Sequence, residues 1–344
     1  MVSTIVVNYN GKTWLEKFLD SAVKPSYPKN RLEVIVVDNG SNDGSVEYIK
    51  RTYKKNPAVK IIENVENVGY ANAVNRGLAI AEGQIFFVVS NDVEIHPQCI
   101  KQIVEVLSDP SIGIVQPNIK SISDRKTLDS GLNYLDMFGF SYGYAPLTDQ
   151  PKEITFAEGI CWATRRDVIE NIGYMEEYYF MEYDDQDLCW RALLAGYRNM
   201  FVPRAIVYHV RGGTQGKTFF DRTKNAQWYV TNHITTLIKN LELKNLLKAI
   251  PVVLTIEIGK ATYLTIKGRW KLASNTLRGL FIVLRDIRLI LKKRREVQTK
   301  IRKVSDHEIV KYFHPFNLRL LYSFISSQKA GKRFILKTKP PLNF

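Results

Sequence analysis

Short runs of β-branched and other apolar residues alternate with stretches of helical spacing through the first 115 residues. Val2–Val7 (VSTIVV), Leu32–Val37 (LEVIVV), Val59–Ile62 (VKII) and Ile85–Val89 (IFFVV) are nearly continuous apolar runs. Such runs suit parallel strands covered on both faces. Between them, Thr13–Ser21, Ser45–Lys55 and Asn72–Ala81 repeat apolar positions with helical spacing. Ser41, Asn42 and Asp43 supply capping chemistry before the second helix, and Pro97 opens another at a first-turn position that proline tolerates. Alternation of this kind predicts βαβ units and a parallel sheet.

Beyond that region the pattern weakens. Residues 120–157 are rich in Gly, Ser, Asp and Tyr and read as a loop-bearing insertion with a small hairpin. Order returns with a strand-like CWAT after Glu158, a short helix from Arg166, a helix over Asp185–Ala195 and a strand over Ala205–Val210. After about residue 225 long helices are expected. Thr276–Leu291 is strongly apolar but carries Arg285, Asp286 and Arg288, and KKRR follows at Lys292–Arg295, which predicts an amphipathic helix with a basic end. No window of about 18 uncharged apolar residues occurs, so no transmembrane helix is evident.

Charge divides the chain more sharply than hydropathy does. Residues 1–224 hold 25 Lys and Arg against 28 Asp and Glu, a net of −3; residues 225–344 hold 24 against 6, a net of +18. The division suggests a domain over 1–224 and a basic helical extension over 225–344. A field that asymmetric draws an anionic partner, either membrane surface or nucleic acid. Cys99, Cys161 and Cys189 form no paired framework and read as buried thiols of a reducing compartment.

In an open α/β sheet, ligands bind beyond the carboxyl ends of the strands. Four polar turns fall there: Asn8–Tyr9–Asn10–Gly11, Asp38–Asn39–Gly40, Asn64 to Gly69, and Ser90–Asn91–Asp92–Val93–Glu94. Each residue type is also simply a good turn former, but four amide- and carboxylate-bearing turns on one edge form a binding pattern. No GxGxxG follows the first strand and no GxxxxGK[ST] occurs, which disfavours a Rossmann dinucleotide site and a P-loop. A diphosphate held without a glycine loop calls for a divalent metal on carboxylate oxygens. Asp92 and Glu94, two residues apart, could share one crevice. Glu182, Asp184, Asp185 and Asp187 crowd before a helix, where a helix terminus partly offsets their repulsion. They either cap that helix or supply a general base. His209 ends a strand before Arg211–Gly212–Gly213, a place suited to meeting metal or phosphate.

The ordered segments STIVVNYNG, EVIVVDNGSNDGS, ENVGYANAVNRGL, SNDVEIHP, EGICWATRRDVIENIGYMEEYYF, DDQDLCWRALLAGY and VYHVRGGT resemble glycosyltransferase family 2, the inverting enzymes of GT-A fold, and within it the rhamnosyltransferase-like branch. The resemblance covers roughly residues 2–215. It implies an α/β nucleotide-diphospho-sugar transferase fold with a mostly parallel sheet. It also implies that Asn8, Asn10 and Asp38 line the nucleotide pocket, with Asn91 beside them, and that Asn67, Gly69 and Asn72 shape the wall near the diphosphate. Asp92 would be the metal carboxylate, His209 a further metal or diphosphate contact, and Asp185 the base. Two departures qualify the match: Asp184–Asp185 stands where the family has Glu-Asp, and Asn91–Asp92–Val93–Glu94 carries a single aspartate.

The resemblance then implies sugar transfer from a UDP- or dTDP-sugar, with Mg²⁺ or Mn²⁺, to a hydroxyl of a glycan or lipid-linked acceptor. The basic segment KKRREVQTKIRK points to a cytoplasmic enzyme held peripherally on the inner face of the cell membrane, at about 1 kcal/mol per basic residue. Packing of these helices on the first domain or on a second subunit is the alternative. A nucleic-acid-binding role lacks any recognition signature and none is expected; a sugar-phosphate nucleotidylyltransferase fits poorly, because NYNGK stands where that group has a Gly-rich basic loop.

Overall fold

The computed structural model describes residues 1–24, 26–147, 149–210, 222–317 and 335–336. Four parallel strands form one half of the main sheet: β1 (Val2–Asn8), β2 (Leu32–Asp38), β3 (Val59–Glu63) and β4 (Ile85–Ser90), in the spatial order β3-β2-β1-β4. Helices α1 (Lys12–Ala22), α2 (Ser45–Tyr53) and α3 (Tyr70–Ile80) make the crossovers. Alternate residues of each strand enter opposite cores. Val6, Val34, Val36 and Val89 pack on Leu15, Phe18 and Ile49, whereas Ile5, Ile35, Val37 and Val88 pack on Val74 and Leu78. This two-sided burial is why the strands read as unbroken apolar runs.

The other half is mixed. After the short β5 (Val93–Ile95) and α4 (Cys99–Val106) come β6 (Ile112–Ser121), β7 (Leu128–Ser130), β8 (Leu132–Leu135), β9 (Ser141–Tyr144), β10 (Lys152–Ile154) and β11 (Cys161–Arg165). Helices α5 (Arg166–Ile172) and α6 (Asp184–Leu194) precede the long β12 (Arg198–His209). Beyond β4 the sheet runs β11-β6-β12-β10, with β11 antiparallel to both neighbours and β6 parallel to β12. The expected small hairpin is β8–β9, and the segment 120–157 holds more strand than its weak periodicity suggests.

The helical part comprises α7 (Arg222–Asn240), α8 (Leu243–Ile266), α9 (Trp270–Arg285), α10 (Ile287–Glu296) and α11 (Asp306–Ile309). The composition break at residue 224 falls in the first turn of α7. Val230, Ile234, Leu237 and Ile238 of α7 share a core with Leu188, Trp190 and Leu193 of α6. Contrary to the reading of no span, α8 is long and apolar enough to cross a membrane by length and composition, although its inner face carries the buried Glu257. The helix expected over Thr276–Leu291 is interrupted at Asp286, which accepts from Arg285 and from the Tyr178 hydroxyl. Several cations of KKRREVQTKIRK turn inward. Lys293 pairs with Glu176, Arg294 donates to the carbonyls of Ile238 and Leu241, and Arg302 to Asn240 and Asp306.

Candidate active site

The carboxyl ends of β1, β2 and β4 finish level, so their turns meet. Asn8 is fully buried; its amide donates to Asp38 at 2.9 Å and to Ser41, and its carbonyl oxygen accepts from Asn91 at 2.6 Å. The other Asp38 oxygen accepts from the Ser41 backbone. Asn10 accepts from the Asn42 backbone. A second chain of amides runs through the third turn: Asn64 donates to Asn39, and Asn39 to Asn67, whose oxygen also takes the Gly69 amide. Asn72 donates to the carbonyls of Val68 and Glu177. These turns therefore form one cross-linked edge. Two glycines are dictated by close approach: a Cβ at Gly11 would lie 2.2 Å from the Asn91 amide, and one at Gly69 (φ +87°) 2.7 Å from the Phe180 carbonyl.

Asp92, just past β4, faces His209 at the end of β12, with His209 Nε2 3.4 Å from the carboxylate. His209 Nδ1 lies 2.6 Å from Asp129 on β7, and all three side chains are buried. Burial alone would lower the imidazole pKa, but the hydrogen bonds and charges of Asp129 and Asp92 raise it to about 9. Among the described residues, no three or more His, Cys, Asp and Glu side chains group to hold a metal ion by themselves. With the Nε2 proton displaced, one carboxylate and one imidazole, oriented from behind by a second carboxylate, would nevertheless fit a divalent cation that takes its other ligands from a substrate diphosphate and water. Glu94 is not brought into this set. It lies opposite Tyr208 on the strand pair, one register position from His209, and forms an ion pair with Arg125 at 2.9 Å. Arg211–Gly213 lie outside the described residues. Asp129 escaped the sequence reading because β7 is three residues long and sits where periodicity is weak.

Glu182, just before α6, and Asp184, Asp185 and Asp187 in its first turn separate by their neighbours. Asp187 is fully buried and committed to Arg191 at 2.9 Å, Lys239 at 3.1 Å and Asn240. Neither Asp184 nor Asp185 caps the helix. The cap position is Tyr183, without a side-chain bond. Asp185 Oδ2 accepts from the Gly159 backbone at 2.7 Å, and Oδ1 from Gln186. Burial and mutual repulsion raise the proton affinity of Asp184 well above the ordinary aspartate range, and burial raises Asp185 as well. Glu182 rises to about 7 through burial and the Asp185 charge. Tyr70 hydroxyl donates to the Gly159 carbonyl, bracketing the same spot. Glu182 and Tyr183 both adopt left-handed backbone (φ 71° and 65°), and Asn232 of α7 holds them by donating to the Met181 and Glu182 carbonyls, each at 2.8 Å.

Comparison with known proteins bears on the family and the fold. The profile for "Glycosyl transferase family 2" matches residues 3–173. Glycosyltransferase AglE of Haloferax volcanii is 26% identical over 210 residues, covering 60% of this chain and 66% of AglE. The N-acetylglucosaminyl-diphospho-decaprenol L-rhamnosyltransferase of Mycobacterium tuberculosis is 26% identical over 245 residues, covering 63% of this chain and 78% of that enzyme. Among solved structures, S. aureus TarS 1-349 in complex with UDP-GlcNAc superposes with a TM-score of 0.59 at 16% identity, covering 97% of this chain and 93% of that one. The mannosyltransferase PcManGT of Pyrobaculum calidifontis, in complex with GDP-Man and Mn²⁺, gives 0.53 at 21% identity, covering 86% and 84%. Their shared architecture is the GT-A fold, with helices appended at the C-terminal end here. The chain belongs to glycosyltransferase family 2, and it is a glycosyltransferase.

Proposed function

We propose that the enzyme inverts configuration as it moves a sugar from a UDP- or dTDP-linked donor to a hydroxyl of a glycan or lipid-linked acceptor, with Asp185 as general base. The observation that carries this reading is the Asp185 carboxylate. It is partly exposed, fixed on one oxygen by the Gly159 amide, and raised in proton affinity in company with Asp184. A base poised in that way accepts the acceptor's proton as its oxygen attacks the anomeric carbon from the side opposite the diphosphate. A single displacement of this kind inverts the centre.

Asn8, Asn10, Asp38 and Asn91 line the nucleotide side, and Asn67, Gly69 and Asn72 form the wall toward the diphosphate. Asp92 and His209 hold Mg²⁺ or Mn²⁺, with Asp129 keeping the imidazole in its tautomer. When bound, the metal supplies Lewis-acid stabilisation of the departing diphosphate. The M. tuberculosis relative, by its name, glycosylates a decaprenol-linked sugar. A lipid-linked acceptor here places the enzyme peripherally on the inner face of the cell membrane, with the basic helices toward it.

The test is nucleoside diphosphate release from a panel of UDP-, dTDP- and GDP-sugars with Mn²⁺ or Mg²⁺ and lipid extract as acceptor source. Metal-dependent release from one donor is expected, reduced about 10²–10⁴-fold in Asp185→Ala and abolished in Asp92→Ala. Undiminished release by Asp185→Ala would refute the assignment of the base.

A further inference from the structure

Helix α9 is built inside out by size. The residues it buries are mostly small: Ala273, Thr276, Gly279 and Val283. They let it press onto α7, where a Cβ at Gly279 would lie 2.8 Å from the Gln227 carbonyl and where Thr231 Oγ1 donates to the Gly279 carbonyl. Its large apolar residues face solvent instead: Trp270 is 65% exposed, Leu277 49%, Phe281 62% and Leu284 70%. Their spacing of seven, four and three residues puts all four within an arc of about 60° at 100° per residue. Lys271, Arg278 and Arg285 repeat at seven-residue intervals on the flank of that stripe and are exposed.

The surface continues onto the neighbouring helices. Leu243, Leu247, Ile258 and Ile266 of α8 and Leu289 and Leu291 of α10 are also exposed. Across residues 243–296 there are 13 Lys and Arg and 3 acidic residues, a net of +10. Two of those acids, Glu257 and Asp286, are paired with cations of the chain itself. An apolar stripe of this extent on a surface helix marks an interaction site. The charge selects the partner. A second copy would set one strongly positive face against another. The stripe of Trp, Leu and Phe fits hydrocarbon, with arginine and lysine beside it at headgroup level.

We infer that α9, flanked by the outer faces of α8 and α10, is an in-plane docking surface for an anionic lipid bilayer. The docking element is thus the stripe from Trp270 to Leu284 with its flanking cations, ahead of the KKRR run whose Lys293 and Arg294 are spent internally. Thr231 bonds α9 while its neighbour Asn232 bonds the turn before Asp185. Two packed helices, α9 and α7, therefore lie between the docking face and the turn that carries the candidate base. A membrane-embedded acceptor suits that placement; this consequence rests on the proposed transfer reaction, whereas lipid binding does not.

The experiment is co-sedimentation of the full chain with vesicles of phosphatidylcholine alone, or with about one third phosphatidylglycerol, at low and high salt, without donor or acceptor. Binding to the anionic vesicles is expected, weakened by salt. Lys271→Glu/Arg278→Glu should lower it by more than about 25-fold, at roughly fivefold per basic residue removed. Trp270→Ser/Phe281→Ser should lose it even at low salt while keeping the wild-type melting temperature, because both side chains are exposed. Release of bound wild type by alkaline carbonate is expected of an in-plane helix; retention would mean that α8 spans and would overturn the inference. Failure of the wild type to bind anionic vesicles, or undiminished binding by either double variant, would overturn it too. Sugar transfer can fail independently of any of these outcomes.

Discussion

Asn232→Ala should uncouple catalysis from stability. Glu182 and Tyr183 are non-glycine residues in left-handed backbone, at a cost of about 1–2 kcal/mol each. The two hydrogen bonds from the Asn232 amide contribute about 1 kcal/mol apiece, comparable to a large part of that strain. Other restraints on the turn include the Tyr183 hydroxyl on the Gly139 carbonyl, its ring stacked 4.9 Å from His233, the Asp187 amide on the Tyr183 carbonyl, and Tyr70 N on the Phe180 carbonyl. The far side of α6 stays anchored through Asp187 and Arg191, so the global loss should stay near 1–3 kcal/mol. The turn itself should relax, and a displacement of the order of 1 Å at a reacting group lowers rate about 10²-fold. Steady-state sugar transfer with varied donor, beside a urea unfolding curve, reads both effects. The expected result is kcat down about a hundredfold with donor KM unchanged, because Asn8, Asp38 and Asn91 do not touch Asn232. A variant with the predicted stability loss but wild-type kcat would refute the claim that this amide positions the base.

Three further outcomes follow from the charges. Asp184 has a folded-state pKa raised above its ordinary value of 3.8, so the stability it contributes is full below that value and is lost as pH rises through the folded pKa. Asp184→Asn should therefore raise the melting temperature at neutral pH, with a gain that shrinks toward about pH 4; a gain independent of pH would sink the reasoning. Wild-type kcat/KM should fall as pH drops through about 6, the value to which burial raises Asp185. Asp129→Asn should weaken Mn²⁺ binding, titrated by its paramagnetic resonance signal in the presence of nucleoside diphosphate, by about 10–100-fold; unchanged affinity would remove Asp129 from the site.

Legibility in the sequence followed burial. Strands β1, β2 and β4 could be read because both their faces are buried and largely apolar, which leaves little room for another interpretation, and the edge strand β3 because Val59, Ile61 and Ile62 keep its run apolar. Strand β6 could not: Gln116, Asn118 and Lys120 break the run, and the first two are tolerated because Gln116 donates to the Gly131 carbonyl and Asn118 to that of Pro203. Likewise, Arg198, Pro203 and Arg204 hide the first half of β12, so that only Ala205 onward reads as strand. The crevice turns were visible as short motifs at strand ends. Asp129 was not, since nothing local distinguishes it from other aspartates in a polar stretch. One amphipathic helix was expected over Thr276–Leu291, which the structure divides between α9 and α10 at Asp286, and spacing alone does not say which stripe is buried. That was decided by the small residues Ala273 and Gly279, which permit a close approach to α7.

Position along the chain also misleads about function, because the acids before α6 acquire their roles from residues beyond 225. Asp187 would be as plausible a base as Asp185 on spacing alone. Lys239 of α7, 1% exposed, removes it by joining Asp187 to Glu176, while Arg191 and Asn240 also hold that carboxylate. A carboxylate so buried and paired is inaccessible to an acceptor hydroxyl. Among the described residues Asp185 has no such cation; its partners there are backbone amides, which fix direction without neutralising charge. The same helix that silences Asp187 holds the strained turn through Asn232 and meets the exposed apolar helix through Thr231 and Gly279. Three consequences thus converge on α7: which carboxylate remains available to accept a proton, how it is aimed, and how far it stands from the lipid-docking face we infer. The charge boundary near residue 224 separates two compositions, and the hydrogen bonds of α7 join them into one site.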